Sequence, residues 1–304
     1  MPLSPQTYCV LMCGGEGTRF APLSTPDCPK QFLRLFGTRS LLQETYNRCE
    51  ALVPPQRVFA STNYRYVPLI REHLPQLPSD NIIAEPLKKN TAPALALAAA
   101  ILARRDPEAI MVALPADHMI VNLATFQQAL QTAERIAIDG DYLVTLGIRP
   151  DRPATEYGYI CGGVPLSASA SLVERFVEKP NHALAVSYLA NGRYYWNSGM
   201  FIWRARRLLT EIAAHLPELD RAVRLLADRK ISLSGHDPLI DDYFATAPEI
   251  SIDYGVMERS QRVAMIPVEC GWSDVGSWEG LREFVQREGL AVAPEVRPLL
   301  TQHG

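Results

Sequence analysis

Tyr8-Cys9-Val10-Leu11-Met12-Cys13-Gly14-Gly15-Glu16-Gly17-Thr18-Arg19 opens as an apolar run and breaks into a loop of three glycines. Tyr8–Met12 reads as a buried strand. Glycines at a strand's end let backbone N–H groups come close to a ligand, and such groups cradle phosphate oxygens. No Gly-Lys-Ser/Thr follows, so the loop is not a P-loop. Phe20 stands where a dinucleotide fingerprint would place its third glycine. Arg19, and Lys30 within Pro29-Lys30-Gln31, would bring positive charge to a polyphosphate. Taken alone, the segment is equally open to a plainer reading, a glycine-rich turn with solvated charges.

Outward from this loop the chain alternates short β-rich runs with helical patterns. Ser40 is placed to cap a helix whose Leu41, Leu42, Thr45, Tyr46, Cys49 and Leu52 share one face. Strands are expected at Arg57–Ser61, Ile82–Ala84, Ile110–Leu114 and Tyr142–Leu146. Helices are expected between them at Tyr64–His73, Pro93–Arg105 and Thr125–Ile138. After Gly147 the expected strands are Tyr157–Cys161, Leu172–Val177, Gly199–Trp203 and Arg262–Val268, with helices at Ala183–Leu189, Arg206–Leu226 and Ser277–Gln286. This alternation predicts an α/β fold, a Rossmann-like, mixed but mostly parallel sheet flanked by helices. No Gly/Ser linker, repeat or low-complexity tract divides the chain. The expectation is one domain over residues 1–286, with a nucleotide half at about 1–147 and a sugar-phosphate half at about 148–286. Residues 287–304 are expected to form a short extension.

Composition narrows the function. The chain has 304 residues, 47% hydrophobic and 21% charged, with a net charge of −3. It offers no basic field for nucleic acid and nothing that anchors to a membrane surface. The longest strongly apolar run, Thr91–Ala103, is too short to span a bilayer. Met1–Thr7 lacks the pattern of a cleaved leader. Six cysteines without a CxxC pair read as reduced thiols, which predicts a cytoplasmic protein.

Further segments carry polar chemistry at strand ends. Glu85-Pro86-Leu87-Lys88-Lys89-Asn90-Thr91 runs from a strand into a helix that Thr91 is placed to cap. An ionised carboxylate only accepts hydrogen bonds, and guanine offers N1–H and N2–H side by side, so Glu85 suits guanine. Asp117, in Pro115-Ala116-Asp117-His118, and Asp274, in Gly271-Trp272-Ser273-Asp274, each follow an apolar strand. Two isolated carboxylates are the usual protein contribution to Mg²⁺. His118 reads as structural support. Glu178 and Asn197 can bond sugar hydroxyls and Lys179 can hold a phosphate. Tyr194, Tyr195 and Trp196 are as compatible with a core as with a pocket wall. No Cys–His metal spacing and no Ser–His–Asp order emerges.

Taken together and in this order, these segments resemble the sugar-1-phosphate nucleotidyltransferases, within them the bacterial mannose-1-phosphate guanylyltransferases. The likeness runs from Tyr8 to Phe284. It rests on the Gly14–Arg19 loop with Pro29-Lys30-Gln31-Phe32, on Glu85 through Ala94, on Pro115–His118 and on Tyr157-Gly158-Tyr159-Ile160. It continues through Phe176–Pro180, Trp196–Phe201, Ser251-Ile252-Asp253-Tyr254-Gly255-Val256-Met257-Glu258 and Gly271–Trp278. The resemblance implies the nucleotidyltransferase fold and a Mg²⁺-dependent transfer of GMP from GTP to mannose 1-phosphate. It implies that Gly14, Gly15, Gly17, Thr18, Arg19 and Lys30 hold the triphosphate. Glu85, Asn90 and Thr91 would then hold guanosine, and Asp117 and Asp274 the metal. Gly158, Glu178, Lys179 and Asn197 become the sugar-phosphate contacts. A phosphate monoester has its second pKa near ~6, so this acceptor needs no general base.

The chain departs from the family pattern at Glu16, Phe20-Ala21, Lys88-Lys89 and Glu156, which loosens the identity of the acceptor. A different sugar 1-phosphate such as a manno-heptose, or a different nucleotide, is the nearest rival. A non-catalytic GDP-sugar sensor is another, although a sensor has no need of both aspartates. A nucleotide-sugar glycosyltransferase is third, and no Asp-x-Asp supports it. Many bacterial relatives carry a C-terminal isomerase domain, and none is expected here. The oligomeric state is left open, a homodimer being one option.

Overall fold

The computed structural model describes residues 2–15, 18–226, 229, 231–233 and 235–302. Nine strands form one mixed sheet: β1 (Thr7–Met12), β2 (Val58–Asn63), β3 (Ile82–Glu85), β4 (Ile110–Pro115), β6 (Leu143–Ile148), β7 (Tyr159–Ser167), β8 (Ala170–Val177), β9 (Tyr194–Arg204) and β10 (Val263–Val268). Their order is β3-β2-β1-β4-β9-β6-β10-β8-β7. Pairing of β1 with β2 and β4, of β2 with β3 and of β6 with β10 is parallel. The antiparallel strand β9 runs between β4 and β6. Strands from both halves of the sequence therefore share one sheet, as expected of the α/β class. Two further short strands, β5 (Met119–Ile120) and β11 (Trp272–Ser273), pair with each other alone.

The alternation along β1 shows why both faces are covered. Cys9 and Leu11 enter one apolar cluster with Leu42 and Tyr46 of the helix Leu41–Glu50 and Phe126 of Leu123–Asp139. Val10 enters the opposite cluster with the helix Thr91–Arg105, whose residues from Ala92 to Ala99 are all buried. A helix apolar all round needs such cover. Ser40 caps its helix through a capping box with Gln43. All six cysteines are free. No helix among the described residues is long and apolar enough to cross a membrane.

Several boundaries differ from the sequence reading. The expected helix at Arg206–Leu226 is two, Ala205–His215 and Pro217–Arg224, because Pro217 cannot donate to the preceding turn. Strand β9 starts at Tyr194 rather than Gly199, so Tyr194 and Trp196 are buried sheet residues. Strand β7 starts at Tyr159, leaving Tyr157 and Gly158 on the loop before it. Asn90, not Thr91, caps the helix that begins at Thr91, and its side chain accepts from the Thr91 N–H. The Thr91 hydroxyl instead accepts from the Ile252 N–H at 2.8 Å.

A third apolar cluster joins the two ends of the chain. Phe20, Leu33, Leu35 and Leu41 pack against Trp278, Leu281 and Phe284 of the helix Trp278–Glu288, and against Val292, Ala293 and Val296 beyond it. Phe20 is fully buried and meets the Trp278 ring edge-on at 5.0 Å. This contact fixes the downstream end of the glycine loop. Phe20→Ala should cost about 3–5 kcal/mol in a urea unfolding curve.

Candidate active site

A cavity of about 680 Å³ lies at the carboxyl ends of the parallel strands, where open α/β sheets collect their ligands. The last residues of β1 to β4, namely Met12, Asn63, Glu85 and Pro115, all line it. So do Gly14, Gly15, Asn90, Thr91, Gly158, Glu178, Lys179, Asn197 and Asp274 from the sequence reading. Gly14 and Gly15 are exposed, with open space around the position of an added Cβ. Gly17 lies outside the described residues, as does Glu16. Thr18 begins the single turn Thr18–Phe20, on which Arg19 is exposed. Arg19, Lys30 and Asp117 are not among the lining residues; Lys30 is buried and bonds the lining Asp274 through its backbone carbonyl, and Asp117 lies partly exposed on Lys30.

Lys30 brings the two aspartate segments together. Its ammonium, 7% exposed, donates to Asp117 Oδ2 at 2.9 Å and to the backbone carbonyl of Asp274. The β5–β11 ladder explains the convergence. Ser273 pairs with Met119, so the residues just outside this pair, Asp274 and His118, meet across the ladder's end, with Asp117 alongside. Burial pushes the Asp117 carboxyl up, but Lys30 and His118 offset it and hold the group below its ordinary value. The Tyr157 hydroxyl donates to Asp274 Oδ1 at 2.7 Å, and the Gly276 N–H donates to the same oxygen at 3.1 Å. Burial and the Asp274 charge raise the Tyr157 phenol, so it stays a donor.

The support behind the aspartates is buried. Arg48 donates to the His118 carbonyl at 2.9 Å. The Trp272 indole N–H can only donate, so His118 Nδ1 accepts it at 3.2 Å. Burial lowers the His118 ring below the ordinary imidazole value, against the raising effect of Asp117. No group of three or more His, Cys, Asp or Glu residues forms a metal cage among the described residues. The pair Asp117 and Asp274 offers hard oxygen donors. It fits a divalent cation that keeps water and phosphate oxygens in its shell.

Two further groups of polar side chains flank the aspartates. On one side Glu85 is buried, and the Ser61 hydroxyl donates to its Oε1 at 2.6 Å. Burial raises the Glu85 carboxyl to about 7, against the lowering effect of Ser61. Asn90 holds φ at 68° where the chain enters the helix. On the other side a Cβ on Gly158 would lie 2.4 Å from Glu178 Oε2, so a larger residue there would push that carboxylate from its place. Glu178 pairs with Lys179 at 3.0 Å, and Lys179 holds φ at 45°. Asn197 donates to Asp253 Oδ1 at 2.8 Å. Burial, then Glu178, raises the Asp253 carboxyl to about 7. Asp253 lines the cavity and was given no role by the sequence reading. It sits in the turn Asp253–Met257, within the segment 251–258, and that quoted segment was the available pointer. Lys88, Lys89 and Arg65 also line the cavity without an assignment from sequence.

Comparison with known proteins accords with this geometry. Residues 8–288 match the nucleotidyl transferase family. A mannose-1-phosphate guanylyltransferase of Escherichia coli is 43% identical over 286 residues, covering 92% of this chain and 60% of its own length. One from Klebsiella pneumoniae is 44% identical over 285 residues, with the same shares covered. A crystal structure described as a mannose-1-phosphate geranyltransferase from Thermus thermophilus superposes with a TM-score of 0.83. It is 38% identical, and the match covers 92% of this chain and 79% of that one. The chain thus spans about 60% of the length of the curated relatives it matches.

Glu85 should leave a signature in the pH dependence of stability. Its carboxyl binds a proton more tightly in the folded chain than in the unfolded one, so stability falls as pH rises from the ordinary glutamate range to about 7 and then levels. The share is on the order of 3 kcal/mol. Glu85→Gln should remove that share from denaturation curves recorded between pH 4 and pH 8, roughly the span of the two titrations.

Proposed function

This chain belongs to the nucleotidyl transferase family, and on that premise we propose that it transfers GMP from GTP to α-D-mannose 1-phosphate, releasing pyrophosphate. The observation that carries the reading is the convergence of Asp117 and Asp274 on Lys30 beside the glycine loop. Relatives named mannose-1-phosphate guanylyltransferase, 43–44% identical, support the choice of substrates.

The reaction joins two anions. An oxygen of the sugar phosphate attacks the α-phosphorus, the bond to the bridging α,β-oxygen breaks, and pyrophosphate leaves in line. The acceptor is mostly dianionic at neutral pH, so the chain need not supply a base. Its task is to align the partners and offset their charge. In this reading Gly14, Gly15, Gly17 and Thr18 surround the triphosphate with backbone N–H groups. Arg19 and Lys30 add positive charge. Glu85, when ionised, accepts from guanine N1–H and N2–H, while Asn90 and Thr91 form the corner against the nucleoside. Glu178, Asn197 and Asp253 bond sugar hydroxyls, Lys179 holds the acceptor phosphate, and Gly158 makes the room they need. Asp117 and Asp274 would hold Mg²⁺, which when bound supplies charge neutralisation and electrophilic polarisation of the phosphoryl oxygens.

The reading extends to organisation. We assign residues 1–286 to one catalytic domain and 287–304 to an extension, working in the cytoplasm on small-molecule substrates without nucleic acid or membrane.

Pyrophosphate release measured across GTP, UTP, dTTP and ATP with several sugar 1-phosphates tests the assignment. GTP with mannose 1-phosphate should give the highest kcat/KM. Preference for UTP or dTTP would overturn the role of Glu85, and silence in every combination would favour the sensor. Asp117→Asn and Asp274→Asn should each lower kcat by about a hundredfold or more at saturating Mg²⁺, with far-ultraviolet circular dichroism unchanged. GTP affinity should also weaken as pH falls below about 7, because protonated Glu85 loses an acceptor.

A further inference from the structure

Gln31 is buried, at 2% exposure, and lies on the short turn Lys30–Phe32. Its amide nitrogen donates to the Cys13 carbonyl at 2.8 Å and to the Gly15 carbonyl at 3.0 Å. Both partners only accept, so the atom facing them is the NH₂ group and both of its protons are used. Gly14 and Gly15 line the cavity, and Gln31 does not. The two carbonyls are therefore turned onto a buried side chain and away from the ligand space. A carbonyl dipole aimed at a triphosphate would repel it, whereas a loop with its carbonyls tied back presents its N–H groups.

We propose that Gln31 is a positioning residue that shapes the Cys13–Gly15 backbone into an anion cradle for the polyphosphate of the nucleotide. This deepens the function proposed above and rests on it. The same turn then serves the site twice. Lys30 faces the aspartates, and its neighbour Gln31 sets the polarity of the loop. The arrangement makes Gln31 contribute to recognition of phosphate but not of base.

Calorimetric titration with guanosine and with GTP separates these contributions. Gln31→Met keeps the volume and deletes both donors. It should weaken GTP binding by about tenfold, because carbonyls no longer tied back can turn toward the phosphates, and leave guanosine affinity within about twofold. In steady-state kinetics KM for GTP should rise while kcat changes little. Gln31→Glu above pH 8, where an ionised carboxylate repels both carbonyls, should weaken GTP further and serves if the methionine variant does not fold. GTP bound as tightly as by the unaltered chain, or equal losses for GTP and guanosine, would sink the role of Gln31. If the unaltered chain binds neither compound, the proposed function itself fails, which is a separate and distinguishable result.

Discussion

One ammonium group holds the site together. Lys30 comes from a turn near the start of the chain, Asp117 from the end of β4 and Asp274 from beyond β11, yet all three meet at Nζ. Burying an amine is costly unless it is paired and hydrogen-bonded. Here the cost is met by one carboxylate and one carbonyl, which forces those two segments to stay together. The short β5–β11 ladder adds backbone hydrogen bonds to the same junction, and Arg48 and Trp272 brace it from behind through His118. Convergence of the two aspartate segments is thus built into the resting fold.

Backbone strain gathers at the same place. Among the described residues four non-glycines have positive φ: Asn90, Asp141, Lys179 and Val275. Asn90 and Lys179 line the cavity, and Val275 follows Asp274. Each such residue costs on the order of 1–3 kcal/mol and persists only where its surroundings over-determine it. Val275 is fully buried in the cluster formed with Phe20 and Trp278, which supplies that constraint.

The parallel half of the fold was legible because its strands are apolar runs between helices with clear periodicity. Glu85, Asp117 and the glycine loop could be placed because each ends such a run. Legibility failed where tertiary context outweighs local pattern. Asn197-Ser198-Gly199 looks like a turn, yet it lies within β9, where the register with β6 shifts and Gly199 takes φ of 68°. That irregularity turns Asn197 toward Asp253. Strands β5 and β11 have two residues each, too few for any periodic signal. The helix Pro238–Thr246 was not among the expected helices; at nine residues it is too short for a strong periodic signal. Gln31 stood in a quoted motif, but nothing in its spacing shows that it reaches back to Cys13 and Gly15.

The cavity draws on the final residue of each of four parallel strands while their interiors, Ala113 of β4 excepted, serve the core. Selection on substrate choice and selection on folding therefore act on different positions of the same strand. Apolar interiors can drift among similar side chains without touching the chemistry, and a terminal residue can be exchanged without unpacking the sheet. Such a scaffold is suited to diversification: new specificities are reached one strand tip at a time.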